Sequence, residues 1–575
     1  MGFHGALNSW SSPGLATALF VAVFHACSVS DKNDFAFGGD AGAGDAGAGG
    51  VNDGGAAGEA VAPPSASGAG GEAGAGGSLS SAGAAGAEDV DGGADSGAGG
   101  AAGSGGSAGG GSDACPEDYE ETTTGTCRPL LRSLAVLPAA PEADDLVEEL
   151  DPDFSRARLT YTVQTSFWVT EVWIAAEGAS GSRVTVDGTS IEAGEAARVP
   201  LELGENVVDI VVASDDESTD YRLTVQRRLP IRLSYPVTGA LFGHAVAASG
   251  DLLLVGAPGA TRVVAYQRTA PGVWENQSEI TGPAGFGTSL AYDGETLAVG
   301  APDEPMGGDQ YIGAIHLFRQ ASNGEFQEDQ RTVMSVPSAV RLLGTSVAVS
   351  GRSAAATTDN YDELHTYTRN ASGVWVEDPS SFHTAPPGGV FIEGVVALDG
   401  NWLAVGDHNG TTSGPSGVRE ASVFLYTRRD FGDPWEPPAS GTARLTASGM
   451  FADSVALRDR TLVVNGEPVR VFERNDDGTW SNRPLPCDSL GPVVVTETAL
   501  VVGSPQDPYN GVTGDTVRVF RREEPGSTFQ EDPSSPLPPQ SGAAEGFGFS
   551  VAAEGYRVFV GAPNDGNGGA VYVFD

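Results

Sequence analysis

From residue 242 onward, apolar and polar positions fall into a phrase that returns seven times. Each return opens with an aromatic or leucine, usually followed by glycine, then runs through a short apolar stretch, a tight turn and a second apolar stretch. The cleanest copies read FGTSLAYDGETLAVGAP from Phe286 to Pro302 and FGFSVAAEGYRVFVGAP from Phe547 to Pro563; the others open at Phe242, Leu343, Phe391, Phe451 and Leu490. A third stretch follows, as in GAIHLFR (Gly313 to Arg319), SVFLYTR (Ser422 to Arg428) or TVRVFRR (Thr516 to Arg522), and then an aromatic-bearing fourth such as that around Trp274. The second stretch (LLLVG, TLAVG, WLAVG, ALVVG, VFVG) is apolar at nearly every position. A strand with one wet face would alternate, so these predict strands covered on both faces. Four short strands per unit in seven units predict a seven-bladed β-propeller over residues 230–575. The last unit has no fourth strand after AVYVFD (Ala570 to Asp575). The strand-like segment PIRLSY, Pro230 to Tyr235, is expected to pair beside it and close the ring.

These units resemble the FG-GAP repeat of integrin α heads and bacterial surface proteins, with GAP literal at Gly256 to Pro258, Gly300 to Pro302 and Gly561 to Pro563. The third unit, SVAVSGRSAAATTDN, lacks GAP. The family's calcium loops, of the form D-x-D-x-D-G between first and second strands, do not carry over. The connections here, AASGD, AYDGE and AAEGY, are too short and carboxylate-poor to supply six to eight oxygens. No metal and no cofactor is expected.

Residues 128–229 read as a small β-sandwich: LTYTVQT and YRLTVQR alternate, Asp187-Gly188 signals a hairpin, and turns recur about every ten residues. With LDPDFSRARLTYTV, LELGENVVDIVV and DYRLTVQR, the segment resembles the cadherin-like β-sandwich of bacterial surface proteins, which implies a fold and not adhesion or calcium.

The segment 28–114, almost wholly Gly, Ala and Ser with scattered acids, is too poor in apolar residues to fold and is expected to be a disordered tether. Leu15 to Ala26 (LATALFVAVFHA) has the length of a signal-peptide core, too short to span a bilayer. Its end at Ala26-Cys27 is similar to the lipobox of bacterial lipoproteins, which implies lipidation of Cys27 and placement at the outer membrane or cell surface; simple secretion or a periplasmic location is the alternative. Cys115 and Cys127 bracket the acidic loop CPEDYEETTTGTC, where a disulfide suits an exported protein, and Cys487 is left alone.

The formal net charge of -45 disfavours nucleic acid and anionic lipid as partners, so the membrane is met only through the N-terminal lipid. Lys32 as the single lysine excludes a P-loop or catalytic lysine. None of the seven histidines stands in a metal or triad motif. The expectation is a monomeric, non-enzymatic surface module that binds a protein or glycan through rim loops between second and third strands. Their candidate residues are Asp303, Glu304, Asp309 and Tyr311; Asp359, Asn360 and Tyr361; Asp407, His408 and Asn409; Asp507, Tyr509 and Asn510; and Asn564, Asp565 and Asn567. The alternatives are a polysaccharide lyase or hydrolase with carboxylates in the central channel, or a structural spacer of the envelope.

Overall fold

The computed structural model describes residues 115–138, 147–305, 312–332, 342–358, 363–379, 394–407, 420–437, 444–448, 451–489, 491–505, 516–539 and 545–575. Cys115 and Cys127 are joined by a disulfide with their Cα atoms 5.6 Å apart, ahead of the sandwich.

The sandwich pairs a three-stranded sheet, ordered Leu131–Pro138, Glu171–Gly178, Ala196–Pro200, with a five-stranded one ordered Thr160–Thr165, Ser218–Arg227, Gly204–Ala213, Arg183–Val186, Thr189–Ile191. The alternation read in LTYTVQT and YRLTVQR is the alternation of burial: Tyr161, Val163, Tyr221, Leu223 and Val225 point into the core with Val172, Ile174 and Ile210. The buried Tyr221 hydroxyl joins the layers, accepting from the Leu131 N–H at 3.0 Å and donating to the Arg156 carbonyl at 2.9 Å. Asp187 and Gly188, at φ 45° and 76°, form the tight turn between Val186 and Thr189.

The rest of the described chain builds seven four-stranded antiparallel sheets. The first runs Ala245–Ser249, Leu252–Ala257, Arg262–Ala270, Val273–Thr281, and five more follow the same order, their first strands being Ser289–Tyr292, Ser346–Ser350, Val395–Asp399, Phe451–Arg458 and Val493–Val495. The third sheet forms without GAP: buried Thr357 stands where the motif's glycine would, and its hydroxyl donates to the Gly394 carbonyl of the next sheet at 2.6 Å. The seventh is Ser550–Glu554, Arg557–Ala562, Ala570–Phe574, completed by Ile231–Ser234. That closing strand runs antiparallel to the third, with Ile231 opposite Val573 and Ser234 opposite Ala570.

First strands touch consecutively from sheet to sheet, and Ser550–Glu554 returns to Ala245–Ser249, so the sheets form a ring. Each seam between neighbours holds one hydrophobic cluster, drawn from both sheets. That is why the second strands are apolar on both faces: Leu253 and Val255 face the seventh sheet, while Leu252 and Leu254 face the second.

The opening glycines set the spacing at the inner edge. Gly243, at φ 92°, donates its N–H to the Gly256 carbonyl of its own sheet, while its own carbonyl lies against Gly561 of the seventh sheet. A Cβ on Gly561 would stand 2.0 Å from that oxygen, and one on Gly300 would stand 2.0 Å from the Gly344 carbonyl. Gly561→Ala is therefore expected to lower stability by about 2–4 kcal/mol through forced separation of two backbones. Gly250→Ala, in an open turn at φ 58°, should cost only about 1 kcal/mol. Urea unfolding of the two variants beside the parent checks the difference; equal midpoints would mean that the seam yields to a methyl group.

Candidate functional site

Antiparallel connection puts the short turns between first and second strands, two residues long in five sheets and four in the second and sixth, at one end of each sheet, and the connections from second to third strands at the other. The turns are tight, as in Ser249 to Leu252, Asp399 to Trp402 and Glu554 to Arg557, each with glycine first at positive φ. Two-residue turns carry too few oxygens for a calcium cage. Among the described residues no cluster of three or more His, Cys, Asp or Glu could hold a metal ion.

At the opposite end, the connection leaving the second sheet is held from beneath. Glu304 is 8% exposed and sits between two cations. His316 Nε2 lies 2.8 Å from one of its oxygens, and Arg331 donates to the other from Nε at 2.7 Å. His316 Nδ1 meets Glu328 at 2.7 Å. Both ring nitrogens thus face carboxylates, and a neutral imidazole carries only one N–H, so the arrangement calls for the imidazolium. Burial pulls the His316 pKa down, but the hydrogen bonds and charges of Glu304 and Glu328 prevail and hold it above the ordinary value. Burial likewise pushes Glu304 up, and His316 with Arg331 outweighs it, leaving Glu304 below the usual carboxylate value. The third sheet repeats the device at the matching position, with His365 Nδ1 2.8 Å from Glu377 and Nε2 3.6 Å from Glu363, and its pKa again ends above the ordinary value despite burial. In the seventh sheet a tyrosine takes the place of histidine: the Tyr572 hydroxyl donates to Asp565 at 2.7 Å, and Arg232 of the closing strand donates to the same oxygen at 2.8 Å.

These contacts separate the candidates named from sequence. Glu304 and Asp565 face inward and are consumed by the fold, a correction to their reading as ligand residues; a buried carboxylate already met by His316 and Arg331, or by Tyr572 and Arg232, has little left to offer. Asn564 and Asn567 are exposed on the same connection, where the Asn567 carbonyl accepts the Gly239 N–H at 2.7 Å. Asp303 is half-buried beside Gly285, and burial raises its pKa. Asp407 ends the strand Trp402–Asp407 opposite Ser422. Cys27, Asp309, Tyr311, Asp359, Asn360, Tyr361, His408, Asn409, Asp507, Tyr509 and Asn510 lie outside the described residues. Sequence reading missed Glu328, Arg331, Arg232 and Tyr572. The available signal was the recurring separation of twelve residues that links His316 to Glu304 and Glu328, and His365 to Glu377.

A cleft of about 300 Å³ opens between the fifth and sixth sheets, lined by Val471, Glu473, Leu485, Phe520, Phe529 and Glu531 among others. Its acids are engaged within the protein, Glu473 by Arg522 and Thr461 and Glu531 by Arg518 and Ser535.

Residues 131–228 match the Cadherin-like family, described as a cadherin-like beta sandwich domain, and that segment is such a domain. No curated protein sequence matches the chain. Among solved structures, the chain is similar to a streptogramin B lyase (10% identity, 60% of this chain and 97% of that one, TM-score 0.34). It is also similar to virginiamycin B lyase from Staphylococcus aureus (10%, 60% and 99%, TM-score 0.34). A third is the periplasmic gluconolactonase of Pseudomonas aeruginosa (16%, 57% and 91%, TM-score 0.33). The likeness is to propeller-like all-β structures, and at these values it carries no argument for a shared reaction. It does correct the expectation of a non-enzymatic protein: the neighbours include enzymes, so such an architecture gives no ground for excluding catalysis.

Two outcomes follow from the geometry. A histidine whose pKa is raised by folding contributes fully below its unfolded value, about 6.5, and that contribution is lost as pH rises through the folded value. Glu304, lowered by folding, contributes above its unfolded value and is lost as pH falls. Urea midpoints should therefore decline as pH rises above about 6.5, and a His316→Gln, His365→Gln variant should show a shallower decline; an unchanged slope would refute the imidazolium assignment. Calorimetry with excess calcium and then with chelator should move the thermal midpoint by less than about 1 °C.

Proposed function

We propose that the ring is a seven-bladed β-propeller of the FG-GAP type, and that it serves as a recognition module for a surface protein or glycan on a tethered, exported lipoprotein. The observation that carries this reading is the division of labour on the connections between second and third strands. Buried acids, Glu304 and Asp565, fix the backbone, while Asn564 and Asn567 stand exposed above it. A rigid scaffold that displays amide groups suits hydrogen bonding to sugar hydroxyls or to peptide backbone. The sequence features described above support export: a short apolar run ending at Cys27 and a Gly/Ala-rich segment ahead of the disulfide.

The full chain, presented to glycan arrays and to bacterial surface proteins, should retain a ligand that an Asn564→Ala, Asn567→Ala, Asp303→Ala variant holds at least about tenfold more weakly, or about 1.4 kcal/mol. Undiminished binding by that variant would move the site elsewhere. In a Gram-negative host the parent should incorporate labelled fatty acid and the Cys27→Ser variant should not; label surviving that change would end the lipoprotein reading.

A further inference from the structure

Six of the seven seams contain a large aromatic from the fourth strand, or from the hairpin leading into it, of the sheet that follows: Phe326, Trp375, Trp435, Trp480, Phe529 and Trp274. The seam between the sixth and seventh sheets has no such residue of its own. Its fourth strand, Ile231–Ser234, arrives from the sandwich through Arg228, Leu229 and Pro230 and has no hairpin connecting it to the third. The cluster of that seam instead contains Phe167 and Trp168, which belong to the sandwich turn between Thr160–Thr165 and Glu171–Gly178.

These two residues reproduce the contacts of a native fourth strand. Phe167 is 1% exposed, and its ring meets Phe574 edge-on with centroids 4.9 Å apart. Trp168 is covered at 4.4 Å by the Arg521 guanidinium, which reaches across the seam from the sixth sheet; Arg428 covers Trp435 at the same distance from within its own sheet. The backbone agrees. In the fourth sheet Glu436, next to Trp435, donates its N–H to the Thr427 carbonyl near the end of the third strand at 2.9 Å; in the seventh, Phe167 donates to the Asp575 carbonyl at 2.9 Å. Buried Arg227 fastens the turn, donating to the Phe167 and Leu201 carbonyls at 2.9 and 3.0 Å and to Ser534 of the sixth sheet at 3.2 Å.

We infer that the sandwich is the clasp of the ring: Phe167 and Trp168 are the missing aromatic element of the seventh sheet, and undocking the sandwich opens the seam between sixth and seventh sheets. Sandwich and ring then unfold together and not as two beads on a string. This does not depend on what the ring binds.

Hydrogen exchange and thermal unfolding of the full chain test it. Trp168→Ala should lower the midpoint of the ring by about 5 °C, as should Trp274→Ala, whose residue fills the same role at another seam. Amides of Thr516–Arg521 and Ala570–Phe574 should exchange at least about tenfold faster in Trp168→Ala, with those of Ser353–Thr357 unchanged. Trp168→Phe should restore most of the protection. The inference is overturned if faster exchange is confined to the sandwich, or if the sandwich melts first and leaves the midpoint of the ring where it was. Should Trp168→Ala yield no folded protein, Arg227→Gln gives the same reading, since it loosens the turn without removing the seam aromatic.

Discussion

The close approach of backbone to backbone at the inner edge of five of the seven seams is the constraint on which the ring depends. The carbonyl of one sheet's opening residue rests on the glycine near the end of the preceding sheet's second strand, as Gly287 does on Gly256 and Gly548 on Gly503. Hydrophobic burial drives the sheets together, but it is indifferent to how far apart they stop; side-chain-free contact sets that distance at five seams, and at the other two Thr357 and Asn465 stand in place of the glycine and donate from their side chains to the Gly394 and Gly491 carbonyls at 2.6 and 3.0 Å. Where the rule is broken the backbone shows it. Ala452 replaces the opening glycine of the fifth sheet and is held at φ 73°, a conformation alanine seldom takes, with its carbonyl still against Gly406.

From that fixed inner edge the sheets fan outward, and wider separation calls for larger side chains. Aromatics therefore gather on the outer strands, and arginines at the ends of third strands lie over them, as Arg428 does over Trp435 and Arg522 over Phe529. The polar face works by the same economy of position. In the second, third and seventh sheets, cations and a hydroxyl projecting from third and fourth strands reach buried acids of the connection, so loop backbone is tied to sheet there. A buried carboxylate stays ionised when cations meet it, and His316 and Arg331 do this for Glu304.

Much of this was legible in the amino-acid order. The seven returns of the apolar phrase, the doubly covered second strands, the closing role of Ile231–Ser234 and the alternating strands of the sandwich all have short-range signatures. The candidate site was less so, because Asp303 and Glu304 are neighbours of the same chemical kind whose fates differ: one is half-buried beside Gly285, the other lies between His316 and Arg331. Which acid turns inward depends on a residue two strands away. Phe167 and Trp168 carried no periodicity that tied them to a seam whose other residues lie more than three hundred positions later.

That long separation has a consequence for biosynthesis. Ile231–Ser234 has its hydrogen-bonding partner only when Ala570–Val573 has been made, and at about 5–20 residues per second the roughly 340 residues between them take some 20–70 s to emerge. Throughout that interval the strand presents Ile231 and Leu233 with no partner strand, and six finished sheets wait with an open gap. Ring completion thus waits for the seventh sheet, and a ribosome that stops before it leaves an open arc with two bare flanks, a form prone to join other arcs edge to edge.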